Sequence, residues 1–216
     1  MSVPILDAVR SPAASVLAAA ERLRAGGLVI FPTETLYGLA ALATCPAALA
    51  RLVALKGREA GKALPLIAAS PSQAADIAEL AGAMAALAAR FWPGPLTMAL
   101  PPRRELPREV VDASGTVAIR VSSHPVACAL AGAAGAPITA TSANLAGRPP
   151  VARVSELDGA LVAGVDAVLD AGACPGGAPS TIVAVASGRV VVLRAGAVPA
   201  AALADVLGYA PERLAR

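Results

Sequence analysis

The hydrophobic and polar positions of the chain alternate between two rhythms. A helix is expected from Ser11-Pro12, an N-cap followed by a first-turn proline, up to the Gly26-Gly27 stop. A fully apolar run at 28–31 then predicts a buried strand, followed by the polar segment Pro32-Thr33-Glu34-Thr35 and a turn at Gly38. Residues 46–55 carry Leu49, Leu52 and Val53 at helical spacing and deliver Lys56-Gly57-Arg58 at their C-terminal end. A strand is expected at 64–68, a helix opened by Ser70-Pro71, and an alanine-rich helix at 81–91. The second half predicts strands at 96–100 and 117–121, with a solvated loop bearing Arg103, Arg104, Glu105 and Arg108 between them. His124-Pro125 starts a helix that stops near Gly135, before a strand at 137–140. A helix at 155–163 leads to a strand at 167–169, and runs at 181–185 and 190–193 flank Ser187-Gly188-Arg189 as a hairpin. A helix at 199–207 closes the chain. Helices alternating with strands early, and adjacent strands late, predict an α/β fold with a twisted, open, mixed sheet and flanking helices. No linker, repeat or low-complexity stretch interrupts the pattern. One domain is therefore expected over 1–216, its core at about 12–208, with the last half dozen residues fraying.

Composition changes this picture in two places. Hydrophobic residues make up 56% of the 216 and the mean hydropathy is +0.66, values that suggest a membrane protein. Aromatic residues are only 2%, however, and the excess is mostly alanine, which raises hydropathy without building a lipid-spanning segment. The longest uncharged runs, 121–147 and 171–188, are broken by Pro137, Asn144, Pro175 and paired glycines, so no spanning helix is expected. No apolar signal core follows the start, and the three cysteines (Cys45, Cys128, Cys174) are far apart with no CxxC pair. Both features predict a cytoplasmic protein with reduced thiols. The formal net charge of +3 permits an anionic substrate or a weak contact with tRNA. Within the basic set there are sixteen arginines and two lysines, Lys56 and Lys62. In a chain so biased toward arginine, the two lysines mark positions where an ammonium cannot be exchanged for a guanidinium.

Several familiar chemistries are missing from the sequence. It has no GxGxxG loop and no GxSxG elbow, and His124 is the only histidine. What remains are polar clusters at the ends of apolar segments, where α/β folds line their ligand crevices. Lys56 and Arg58 suit phosphate, as a point charge and a fork. Ser142 and Asn144 add neutral hydrogen bonds, and Arg120 ends an apolar strand as an anion-facing candidate. Each also has a plain structural role open to it: helix C-terminal charge for Lys56 and Arg58, turn satisfaction for Ser142 and Asn144, and a buried ion pair for Arg120. His124, before a proline at a helix start, reads as structural.

In chain order the segments PTETLYGL, LKGR with Lys62, FWPGPLT, TVAIR, HPV, TSANLAGRP, PSTIV and LRAG resemble the Sua5/YrdC/TsaC family of L-threonylcarbamoyladenylate synthases over roughly residues 18–198. The resemblance implies the short, single-domain form and a YrdC-like fold. It implies synthesis of threonylcarbamoyl-AMP and pyrophosphate from L-threonine, bicarbonate or CO₂, and ATP with Mg²⁺. A separate transferase complex would then use the product for t6A at position 37 of tRNA. Lys56, Arg58, Ser142 and Asn144 occupy the family's KxR and SxN positions, associated with catalysis. ATP is expected at Lys56, Arg58, Lys62, Thr116, Ser142 and Arg194. L-threonine is expected at Thr33, Arg120, Ala140 and Ser180, with Arg120 the bidentate partner of its carboxylate. No protein metal ligand is expected, because Mg²⁺ would arrive on the ATP phosphates. Residues 57–63, with two glycines, are expected to form a flap. Glu59 and Ala63 stand where prolines are common, Ala195 replaces the proline of LRPG, and LPLIAA lacks a histidine found in some relatives. The competing reading is a non-catalytic RNA-binding or ribosome-maturation protein using the same basic cavity.

Overall fold

A computed structural model describes residues 3–57 and 63–214. The chain opens with β1 (Ile5–Asp7) and α1 (Pro12–Arg24), then β2 (Val29–Phe31), β3 (Gly38–Ala40) and α2 (Pro46–Lys56). Next come β4 (Leu66–Ala68), α3 (Pro71–Ala75), α4 (Gly82–Phe91), β5 (Leu96–Leu100), β6 (Val117–Val121) and α5 (Pro125–Ala134). The last part holds β7 (Ile138–Thr139), β8 (Thr141–Ser142), α6 (Gly159–Ala163), β9 (Ala167–Asp170), β10 (Thr181–Ala186), β11 (Arg189–Arg194), α7 (Ala200–Leu207) and β12 (Glu212–Arg213). The α/β class with mixed strand directions is as expected, but the strands divide over two sheets. One has five strands in the order β1-β9-β2-β3-β8, the other seven in the order β12-β11-β10-β5-β6-β4-β7.

Strand alternation explains how the sheets share their core. Ile30 of β2 and Leu66 of β4 point into one apolar cluster, while Val29 and Phe31 of β2 and Ile67 of β4 point into a second. Helices α1 and α5 pack together over the second cluster, with Ala19, Ala20, Ala127 and Ala131 fully buried. The alanine excess therefore serves close helix packing, where small side chains let backbones approach. Among the described residues no helix is long and apolar enough to cross a membrane. The three cysteines are unpaired, and burial pushes the Cys128 and Cys174 thiols above the usual range, which makes them poor nucleophiles.

Three expectations are corrected. Gly38 is not a turn residue but the first residue of β3, paired with Phe31; a Cβ there would lie 3.0 Å from the Phe31 ring. The helix expected at 155–163 is a single 3₁₀ turn, Val154–Glu156, and then α6. Asp158 separates the two by accepting the Ala160 N–H at 2.8 Å as an N-cap. Of the last half dozen residues, expected to fray, Glu212 and Arg213 pair as β12 in parallel with β11, and 215–216 lie outside the described residues. The short strands β1, β3, β8 and β12 carry too few residues for a period to be read.

Candidate active site

A cavity of about 420 Å³ opens where the ends of β5, β6, β8 and β10 converge beside the 33–37 turn. Its wall includes Thr33, Thr35, Arg120, Ala140, Ser142, Ser180 and Arg194, together with Thr97 and Ile182. Six of the sequence-predicted residues, from five separate stretches of chain, thus meet in one concavity.

Thr33 is buried and holds the 33–37 turn together. Its hydroxyl donates to the Leu36 carbonyl at 2.7 Å and accepts the N–H groups of Thr35 and Leu36 at 3.2 Å each. Tyr37, fully buried, donates its phenolic hydroxyl to the Gly172 carbonyl at 2.6 Å, tying the turn to the end of β9. Burial and the neighbouring Asp170 carboxylate push that phenol above its ordinary range, so it stays a donor.

Arg120 is 7% exposed near the end of β6, and its Nε donates to Glu34 Oε1 at 2.9 Å. The Ser122 hydroxyl donates to the other oxygen of Glu34. Burial pushes the Glu34 carboxyl up, but the Arg120 guanidinium and the Ser122 hydroxyl outweigh it and hold the group below its usual range. The ion-pair role that the sequence left open for Arg120 is therefore real. It coexists with a place in the cavity wall, because a guanidinium bound through Nε keeps its two terminal amino groups, the edge that meets a carboxylate end-on.

Ser180 is gripped from two sides. Its hydroxyl lies 2.8 Å from that of Thr97, and Arg194, the last residue of β11, donates through Nη2 to the Ser180 carbonyl at 2.7 Å and hydroxyl at 3.0 Å. Gly196 makes this corner possible, since a Cβ there would fall 2.2 Å from the Pro179 carbonyl oxygen and 2.6 Å from backbone atoms of Ser180 and Thr181. Backbone cannot yield as a side chain can. Gly196→Ala is expected to displace Ser180, costing about 1–3 kcal/mol of stability and most of the activity, read by thermal unfolding and turnover of the purified variant.

Lys56 is 6% exposed and is not in the cavity wall. Its ammonium donates to the Ser142 carbonyl and, at 2.8 Å, to the Asn144 carbonyl, while its own carbonyl accepts the Ala146 N–H at 3.0 Å. Lys56 thus ties the end of α2 to the 142–146 segment. The Ser142 hydroxyl donates to Asn144 Oδ1, and Asn144 Nδ2 donates to the Leu145 and Arg148 carbonyls, so the turn role is also met. Ser142 faces the main cavity and Asn144 a smaller one of about 270 Å³.

Among the described residues, one predicted residue does not join this constellation. Thr116 lines a different cavity and donates its hydroxyl to Asp112 Oδ2 at 3.0 Å. It stands at the opposite end of β6 from Arg120, so the strand itself separates them. Arg58 and Lys62, with most of the expected flap, lie outside the described residues. Reading the sequence missed Thr35, Thr97, Ile182 and the Glu34–Ser122 pair behind Arg120. Thr97 had one signal, as the sole polar residue of the LTMAL strand. His124 precedes α5 and donates its backbone N–H to the Ser122 hydroxyl at 3.1 Å.

Comparison with known proteins places this site in context. The Sua5/YciO/YrdC family model, described as telomere recombination, matches residues 21–196. A threonylcarbamoyl-AMP synthase of Xanthomonas axonopodis pv. citri is 40% identical over 151 residues, covering 68% of this chain and 81% of that protein. P. abyssi Sua5 in complex with L-threonine superposes with a TM-score of 0.86 at 33% identity, over 99% of this chain. The chain spans 63% of the length of that Sua5. E. coli YciO superposes with a TM-score of 0.79 at 26% identity, over 91% of this chain and 96% of its own.

Proposed function

Because the chain belongs to the Sua5/YciO/YrdC family, we propose that it is an L-threonylcarbamoyladenylate synthase, a nucleotidyltransferase that joins L-threonine, bicarbonate or CO₂, and ATP into threonylcarbamoyl-AMP and pyrophosphate. The observation that carries this reading is the meeting of Thr33, Arg120, Ala140, Ser142, Ser180 and Arg194 in one cavity of about 420 Å³, the size of a small-molecule site. The names of the relatives and the L-threonine complex of P. abyssi Sua5 support it.

The chemistry asks little covalent work of the protein. The threonine amine adds to CO₂, losing a proton, to give a carbamate. A carbamate oxygen then attacks the α-phosphorus of ATP in line, the bond to the bridging oxygen breaks, and pyrophosphate leaves. ATP enters as its magnesium complex. Among the described residues no cluster of His, Cys, Asp and Glu offers a metal site of its own, and the reaction needs none beyond that complex. Catalysis of such a transfer is positioning and charge neutralisation. Arg120 holds the threonine carboxylate with its terminal amino groups, while Glu34 fixes the plane of the fork. Thr33, through its turn, and the Ala140 backbone close the amino-acid end. Ser142 and Arg194 face the nucleotide, and Lys56 sets the position of Ser142 from behind. Arg58 and Lys62 supply further cations to the phosphates. Enclosure matters because the carbamate and the mixed anhydride both decay in water. The protein works in the cytoplasm and hands its product to a tRNA threonylcarbamoyl transferase complex.

The test is pyrophosphate release by the purified protein with ATP, Mg²⁺, bicarbonate and L-threonine. Release should depend on both threonine and bicarbonate. Release that persists when either is omitted contradicts the synthase reading.

A further inference from the structure

Thr97 has no assigned role, yet it lies between the two ends of the amino-acid subsite. β10 runs parallel to β5 with Ile182 opposite Thr97. β5 runs antiparallel to β6 with Ala99 opposite Ala118 and Met98 opposite Ile119. One step further along that ladder, Thr97 falls opposite Arg120. Paired positions share a sheet face, and Ile182, Thr97 and Arg120 all line the cavity. Thr97 therefore neighbours Arg120 across the ladder, and its hydroxyl lies 2.8 Å from that of Ser180.

Counting hydrogens shows what this pair offers. Each hydroxyl carries one hydrogen, and the bond between the two oxygens uses one of them. Arg194 Nη2 brings its own hydrogen to Ser180 Oγ at 3.0 Å, so it consumes none. Among the described residues neither hydroxyl has another protein acceptor. Whichever way the bond between them runs, one hydroxyl hydrogen is left over, and both residues line the cavity. Thr97 is 2% exposed and Ser180 partly buried, so a hydrogen left on Thr97 is poorly served by bulk water. It calls for an acceptor on the ligand. A carboxylate, acceptor only and already drawn to Arg120 next door, fits that demand.

Building on the synthase reading, we propose that Thr97 and Ser180 act as one coupled hydroxyl pair, which donates a hydrogen bond to the substrate carboxylate held by Arg120. The coupling has a distinctive consequence. Thr97→Val frees the hydrogen of Ser180, and Ser180→Ala frees that of Thr97, so each single variant still presents one donor. Only the double variant presents none.

Calorimetric titration of L-threonine into the wild-type protein, both single variants and the double variant tests this. Each single change should weaken binding about threefold or less, whereas the double change should weaken it about thirtyfold to a hundredfold, the loss of a hydrogen bond to a charged group. ATP affinity should stay within about twofold of wild type throughout. A double variant that merely multiplies the two single effects, or that binds like wild type, overturns the coupled pair. Should the double variant fail to fold, the singles carry the test, because a tenfold loss in either one overturns the proposal. A wild-type protein that binds no L-threonine overturns the synthase reading as well, which separates the two failures.

Discussion

Lys56→Arg is expected to lower turnover about a hundredfold while the protein stays folded, the scale of loss that misplacing a site group by about 1 Å can cause. The ammonium donates to the carbonyls of Ser142 and Asn144, two residues apart on one segment, and Lys56 is almost fully buried. A tetrahedral ammonium meets two such carbonyls from a single point, whereas a guanidinium is planar, wider and sited further from its backbone. Arginine at this position has to push the 142–144 segment outward, and Ser142 is part of the cavity wall. Overpacking of this kind costs about 1–3 kcal/mol, enough to lower the melting temperature without unfolding the chain. Turnover and thermal melting on the same preparation check this. Near wild-type turnover would leave Lys56 with no more than a helix-terminal charge role.

Arg120→Ala is expected to combine the loss of threonine binding with a stability loss of about 3–5 kcal/mol at neutral pH, because it strands Glu34 as a largely buried charge with no cation beside it, served by the Ser122 hydroxyl and its own backbone N–H. The pH dependence identifies the cause. In the wild type the folded Glu34 has a depressed pKa, so its contribution is present above the unfolded value of about 4.5 and fades as pH falls through the lower folded value. In the variant the guanidinium is gone and burial dominates, which raises the folded pKa above the unfolded one. The sign then reverses: the Glu34 contribution favours the fold below the unfolded pKa and is lost as pH rises through the folded one. Unfolding curves of both proteins should therefore converge on moving from pH 7 toward pH 4. A stability gap independent of pH would mean that Glu34 is not the stranded group.

Much of the fold was legible because its longer elements carry their own punctuation. Ser11-Pro12, Ser70-Pro71 and His124-Pro125 each mark a helix start that the structure keeps, and Ser187-Gly188 turns the β10–β11 hairpin. The division into two sheets was not legible. It rests on pairings such as β3 with β8, two residues against residues a hundred positions away, too short for any periodic signal. The site shows the same boundary. Arg120 and Ser180 stand out as polar groups at the ends of apolar strands, so sequence order and composition suffice to single them out. The partner of Arg120 does not stand out, because nothing along the chain links Glu34 to a residue 86 positions later. Lys56 shows a subtler gap. Its resistance to arginine drift was readable, but its bonds to two carbonyls of a distant segment appear only in three dimensions. Thr116 matched its motif in sequence, while the length of β6 carries it to a different cavity.

The central claim is that the cavity joins three substrates through a carbamate. Incubation of the purified protein with ATP, Mg²⁺, L-threonine and ¹³C-bicarbonate, followed by mass spectrometry of the nucleotide products, tests it most directly. The account predicts a product carrying AMP, threonine and one ¹³C carbonyl, formed in step with pyrophosphate. A nucleotide product that joins threonine to AMP without the label, or pyrophosphate release with no such product at all, would contradict it.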